Sequence, residues 1–172
     1  MYKMKKKSVK IIVFIALLFI YSCVSTQMVT KSPQEIKMMT TKQFETNKNI
    51  VFKSAISLLQ SESYLIEYAD ESVGLIRANK RIENKNAKKQ LYWNGKAIDA
   101  STSKVSFYIE EYNSGLCEVK ITLYEGEEST IAGSYGRTYK DTKESMIYEH
   151  QIYNQWFNNL RAEIARRKAL TN

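Results

Sequence analysis

The sequence predicts an α+β domain: an antiparallel sheet of four to six strands with two helices packed on one face, in the order (β)-α-β-β-β-β-(β)-α. Three observations lead there. Val51, Phe52, Ala55, Ile56, Leu58 and Leu59 recur at spacings of three and four, a helical stripe. Tyr153, Trp156, Phe157, Leu160 and Ile164 fall at i, i+3, i+4, i+7 and i+11, a second stripe. Between them, Val105, Phe107 and Ile109 alternate with polar residues, Asn113-Ser-Gly115 makes a turn, and Cys117, Val119, Ile121 and Leu123 alternate back. A sheet with one packed and one wet face offers both stripes a common surface.

Taken in order, Ile36, Met38 and Phe44 alternate loosely with Thr40 and Lys42, which predicts an edge strand over 36–44. Thr46 and Asn47 are N-cap residues, and the first helix runs from there to Gln60. Tyr64, Ile66 and Tyr68 alternate through the run 64–69, Asp70 to Gly74 is a turn, and Leu75–Asn79 returns as the partner strand. Arg81 to about Ser101 reads as a long charged loop holding one aromatic island, Leu91-Tyr92-Trp93, before Asn94-Gly95. After the central hairpin, Thr130–Tyr135 is a candidate fifth strand weakened by Gly133 and Gly136. The second helix covers about Tyr148 to Lys168, and its closing Arg161, Arg166, Arg167 and Lys168 complement the helix dipole.

The N-terminus has a different logic. Lys3, Lys5, Lys6, Lys7 and Lys10 precede an apolar run, Ile11 to Ile20, and then Tyr21-Ser22-Cys23. Basic, then apolar, then small is the order of an export signal. The uncharged stretch from Ile11 to Tyr21 is shorter than the roughly 20 residues that span a bilayer core. With the cysteine directly after it, this segment resembles a bacterial lipoprotein signal, the lipobox, with Ile20 at −3, Ser22 at −1 and Cys23 at +1. Tyr21 stands at −2, where the pattern has a small residue. The resemblance implies removal of residues 1–22, acylation of Cys23, and a lipidated tether over 23–35 leading to a single α+β domain over 36–172. An uncleaved N-terminal anchor helix and an ordinary secretory cleavage site are the competing readings.

The domain itself resembles the helix-grip or TATA-binding-protein-like lobes of outer-membrane assembly lipoproteins. Met39-Thr-Thr-Lys-Gln-Phe44, Leu59…Tyr64-Leu-Ile-Glu…Gly74-Leu-Ile-Arg-Ala78 and Tyr153-x-x-Trp156-Phe157 look like a family of small, uncharacterised bacterial envelope lipoproteins. Those motifs are core and turn positions, so they imply fold and location and carry no chemistry. Val24, rather than aspartate, after the acylated cysteine implies the outer membrane facing the periplasm; the inner membrane and the cell surface stay open.

The formal charge of +8 invites a nucleic-acid reading, but five of the lysines belong to the signal, leaving 21 basic against 18 acidic residues. Lys80, Arg81, Lys85, Lys88, Lys89 and Lys96 come nearest to a basic patch, but they are interleaved with Glu83, Asn84 and Asn86 and read as a solvated loop. No nucleic-acid partner is expected. With Cys23 assigned to lipid, Cys117 has no partner for a disulfide and falls on the apolar face of its strand.

The inventory for catalysis is thin. One histidine, His150, and three aspartates, Asp70, Asp99 and Asp141, preclude a histidine-rich metal site. Glu110, Glu111, Glu125, Glu127 and Glu128 lack calcium-loop spacing, and Glu110-Glu111 point to opposite faces of a strand. Ser134, in Gly133-Ser-Tyr-Gly136, lacks the strand-to-helix context of a nucleophile elbow. The glycines are scattered over turns. No catalytic residue, metal or cofactor is expected.

Three aromatic features are candidates for binding. Tyr92 and Trp93 are large aromatics in a polar segment, either interface anchors or rings tucked over the core. Tyr135 and Tyr139, with Arg137, lie near an edge that a partner strand could extend. Trp156 and Phe157 are assigned to the core. The expected function is that of a non-catalytic, lipid-anchored envelope protein, an accessory or scaffold subunit of a periplasmic or outer-membrane assembly. Its partners would be the membrane, through acylated Cys23, and an envelope protein. The alternative is a module gripping a small apolar ligand or glycan between the sheet and the C-terminal helix near Tyr92 and Trp93.

Overall fold

A computed structural model of the chain describes residues 31–113 and 115–171. The signal segment, Cys23 and the tether up to residue 30 lie outside the described residues. From Ser32 onward the described residues form one compact unit. The elements of that unit are α1 (Pro33–Thr40), β1 (Thr41–Phe44), α2 (Lys48–Ser61), β2 (Leu65–Asp70), β3 (Leu75–Glu83), α3 (Ala87–Asn94), β4 (Lys96–Asn113), β5 (Leu116–Ala132), β6 (Thr138–Met146) and α4 (His150–Thr171).

The α+β prediction holds. Six antiparallel strands form one sheet in the order β1-β5-β4-β3-β2, and β6 also pairs with β5. β1 takes β5 from Cys117 to Lys120 and β6 takes it from Tyr124 to Ala132, so both strands share one edge of β5. Along that shared edge the sheet has two halves. Near the β4–β5 turn, α2 and α4 bury the stripes read from the sequence: Val51, Ala55 and Leu59 from α2, Tyr153, Phe157 and Leu160 from α4. They pack on Ile76, Val105, Phe107, Ile109, Val119 and Ile121 of the sheet. Trp156 sets its ring edge-on to Phe107 and Tyr64, with centroids 6.0 and 5.7 Å away. Trp156 and Phe157 therefore both serve the core, as their spacing required.

Four features depart from the sequence reading, each for an identifiable reason. The segment 36–40 is helical, and only Thr41–Phe44 is a strand. Ser32 caps α1: its hydroxyl accepts the Glu35 N–H at 3.3 Å while its own N–H donates to Glu35 Oε2 at 2.7 Å, with Pro33 next in line. A Ser-Pro-x-Glu box is a helix-start signal that outranks a loose alternation of three apolar residues. The helix also takes in Pro33–Glu35, which the sequence reading placed in the tether.

The long loop is the second departure. β3 continues to Glu83, α3 occupies Ala87–Asn94, and Gly95 closes that helix in the left-handed conformation (φ +67°), its N–H bonded to Leu91 O at 3.0 Å. The third lies in the candidate fifth strand. Thr130–Ala132 is the end of β5, Gly133–Arg137 is a turn with Tyr135 at φ +59° and Gly136 at φ +72°, and β6 follows. The fourth is a bulge between Ile66 and Tyr68, which breaks the alternation of β2. Ile66 packs against the core, whereas Tyr68 turns to the other face and lies under the Arg77 guanidinium, 5.2 Å from the ring centre.

The distal half of the sheet explains why these strands were hard to read. Ser101, Ser103, Glu125, Glu127, Lys143 and Ser145 continue the helix-facing side of β4, β5 and β6 beyond the reach of the core. With polar residues on both faces, the period-2 hydrophobic signal disappears although the ladder continues. On the opposite face Arg81 pairs with Glu128, whose carboxyl it holds below the usual range, and Lys104 Nζ reaches Glu144 Oε2 at 2.6 Å. Gly126 lies between Thr102 and Glu144 in register, and its missing side chain leaves that lane open.

Candidate functional site

The residues proposed for binding converge at the distal end of the sheet. Tyr92 and Trp93 stand on α3 with 81% and 73% of their surface exposed and their rings edge-to-face at 5.2 Å. They are not tucked over the core. Tyr135, fully exposed, and Arg137 occupy the β5–β6 turn. The two segments are tied directly: Ala132 N–H donates to Gly95 O at 2.7 Å, and Gly133 N–H to Arg137 O at 2.7 Å. Tyr139 joins them, because Ile131 pairs with both Lys96 and Tyr139 and the Tyr139 ring lies against Gly133. Exposed Lys85, Lys88, Lys89, Lys96 and Lys140 surround the same end. Residues some 40 positions apart thus form one aromatic and basic surface.

Beside Trp93, a shallow groove of ≈ 300 Å³ is lined by Asn86, Lys89, Gln90 and Asn94. A wider groove of ≈ 740 Å³ has Ser101, Ser103, Glu125, Glu127, Lys143 and Ser145 among its lining residues. Its hydroxyls, carboxylates and one ammonium can make many hydrogen bonds, yet no apolar side chain lines it. Tyr92 and Trp93 do not face α4, and the space between sheet and α4 is filled by Tyr153, Phe157, Leu160 and Ile164. A ligand gripped there has no room.

The candidates for chemistry are kept apart. Ser134 precedes β6 and His150 follows it, so nine residues of strand, roughly 30 Å, separate them. His150 Nδ1 lies 2.9 Å from Asn154 Nδ2, within its own helix. Among the described residues, no three His, Cys, Asp or Glu side chains come together as a metal site. Cys117 is buried, its thiol donates to Thr46 O at 3.1 Å, and burial pushes its pKa up. Such a thiol stays protonated and inert at neutral pH.

Sequence reasoning missed the open face of the sheet. Tyr68, Tyr108 and Tyr112 all lie substantially exposed there. The signal for Tyr108 was present, since it is out of phase with Phe107 and Ile109, but for Tyr68 the bulge reversed it. Also missed was β6, whose run Thr138–Met146 contains a single aliphatic-like side chain, Met146.

No protein-family model matches the chain, and no curated protein matches it. Among solved structures it is similar to the adenylate sensor of AMP-activated protein kinase, crystallised with the ribofuranotide ZMP. The match has 11% identity and a TM-score of 0.36, and covers 72% of this chain and 93% of that one. Likeness at that level assigns neither fold nor function.

Proposed function

We propose that this chain is a lipid-anchored, non-catalytic lipoprotein of the bacterial envelope whose α+β domain serves as an accessory or scaffold subunit at the outer membrane, facing the periplasm. The observation that carries this reading is the order of residues Lys3 to Cys23: five lysines, ten apolar residues, then Tyr-Ser-Cys. Acyl chains contribute about 0.8 kcal/mol per buried CH₂, and two or more hold a domain stably on a bilayer. Anchoring raises the domain's effective concentration near envelope partners without any new contact. The aromatic and basic end around Trp93 and Tyr135 is the surface offered to such a partner, because large exposed aromatics with nearby cations are the residue types that dominate interface energetics.

The test compares the full-length chain with Cys23→Ala in a bacterial host. The expected intact mass of the membrane-extracted protein lacks residues 1–22 and carries added acyl mass, and the variant carries none. An unprocessed chain, or identical masses in both, rejects the anchor.

A second reading is favoured by one specific observation, the amide-lined groove beside Trp93. Asn86, Gln90 and Asn94 offer hydrogen bonds and Trp93 a stacking face, which suits a sugar ring. If this groove binds glycans, titration with soluble peptidoglycan fragments should shift Trp93 fluorescence, and Trp93→Ala should weaken binding at least tenfold. Unchanged fluorescence in the parent protein dismisses it.

A further inference from the structure

We propose that β6 is a self-pairing edge: two copies of the chain join β6 to β6, antiparallel, about a two-fold axis at Thr142, making one continuous sheet from two. The strand pairs with β5 over its whole length, from Ala132↔Thr138 to Tyr124↔Met146, without a bulge. Its other edge pairs with no strand among the described residues. It is nine residues long and free of proline and glycine. An exposed edge of that kind is a template for another strand, and proteins usually blunt it with bulges, prolines or charged side chains, lysine above all. Here the charges have both signs, in an order that complements itself.

The strand reads Lys140-Asp141-Thr142-Lys143-Glu144. When two copies meet antiparallel with Thr142 at the centre, Lys140 faces the partner's Glu144 and Asp141 faces the partner's Lys143. Symmetry doubles both contacts, so every charged residue in the strand meets its opposite. Facing residues in an antiparallel ladder must both turn their N–H and C=O toward the neighbour, or both away. A symmetric pair therefore centres on a residue, never between two. Centring on Lys140, Asp141, Lys143 or Glu144 sets that charge against its own copy. Opposite charges across strands stabilise and like charges directly opposite destabilise, so Thr142 is the one centre the sequence favours. The ion pair from Lys104 engages Glu144 through Oε2, and a carboxylate accepts further donors. The turn after Ala132 places Tyr135 and Arg137 just beyond one end of the junction, so the two aromatic ends would lie at its opposite ends.

Cysteine crosslinking in membranes carrying the full chain tests the geometry. Directly opposed Cα atoms in an antiparallel pair are about 4.5–5.5 Å apart, within disulfide range. Thr142→Cys is expected to give a disulfide-linked dimer of the chain under mild oxidation. Ser145→Cys, whose copies would lie about 20 Å apart by strand rise, should give none, with the parent chain as background. Light scattering on the detergent-extracted chain then tests the charges. Asp141→Lys should raise the dimer dissociation constant about tenfold by turning both Asp–Lys contacts repulsive, and the Asp141→Lys, Lys143→Asp double variant should recover most of it. Circular dichroism confirms that each variant is folded. A monomeric mass at every concentration, crosslinking no stronger at 142 than at 145, a Thr142→Cys adduct to a different protein, or a folded double variant no better than the single one overturns the proposal.

Discussion

Truncating Tyr153 to alanine is expected to lower the stability of the domain by about 3–5 kcal/mol, the range for large aromatics removed from a core. Tyr153 is completely buried where α4 leaves the sheet. Its ring fills the space between α4 and β5, and its hydroxyl closes two backbone gaps at once. It accepts the Leu123 N–H at 3.3 Å and donates to Ile147 O at 3.0 Å. Ile147 N–H in turn donates to Leu123 O at 2.9 Å, so the phenol locks the corner between β6 and α4. The two roles can be separated. Tyr153→Phe keeps the ring and orphans the buried Leu123 N–H and the half-buried Ile147 C=O, for an expected loss of about 1–3 kcal/mol. Urea unfolding followed by Trp156 fluorescence checks both, with a lower midpoint at unchanged slope. A Phe variant as unstable as the Ala variant would place all the energy in the hydrogen bonds and none in packing.

Gly74→Ala should be the most damaging change in a turn, with about 1–2 kcal/mol lost from the left-handed backbone alone and more from the clash. Gly74 has φ +77°, and a Cβ built on it would fall 2.0 Å from the carbonyl oxygen of Ile109. That approach cannot relax locally. Gly74 N–H donates to Asp70 O at 2.9 Å, and Gly74 O accepts from Ile109 N–H at 2.8 Å, so the glycine is stitched to β4 near its C-terminal end. Asp70 holds the rest of the turn, accepting the Ser72 hydroxyl at 2.6 Å and the Ser72 N–H at 2.9 Å, and these bonds keep its carboxyl below the usual range. Gly115→Ala is the comparison. It shares a positive φ, but no atom lies within 4 Å of its Cβ position, so it bears the backbone cost without the clash. Thermal melting of the pair should show the larger drop at Gly74; equal drops would deny the close approach to Ile109 any part in stability.

These two positions differ in how far the sequence revealed them. Tyr153 was legible as a core residue from the spacing of its helix, and Gly74 as a turn from its neighbours. The hydrogen bonds of the Tyr153 hydroxyl were not, because Leu123 is thirty positions away and only the packed corner brings it near.

The same division runs through the molecule. Local order alone settled whatever depends on periodic burial: the stripes of α2 and α4, the central hairpin, the fold class and the core role of Trp156. Wherever both faces of an element are wet, hydrophobic periodicity carries no information, and tertiary structure decided. Pairing along the β4–β5 ladder extended strands through Ser101–Lys104 and Glu125–Ser129, and gave Thr138–Met146 a neighbour it could not announce by composition. The bulge in β2 moved Tyr68 to the opposite face. The hydrogen bond from Ala132 to Gly95 brought Trp93 and Tyr135 to one end of the sheet. The sequence by itself nominated Tyr92, Trp93, Tyr135 and Arg137 one at a time, from residue type and polar surroundings. Only the folded sheet made them neighbours, because long-range ladder bonds, rather than any local preference, set the distance between α3 and the turn after β5.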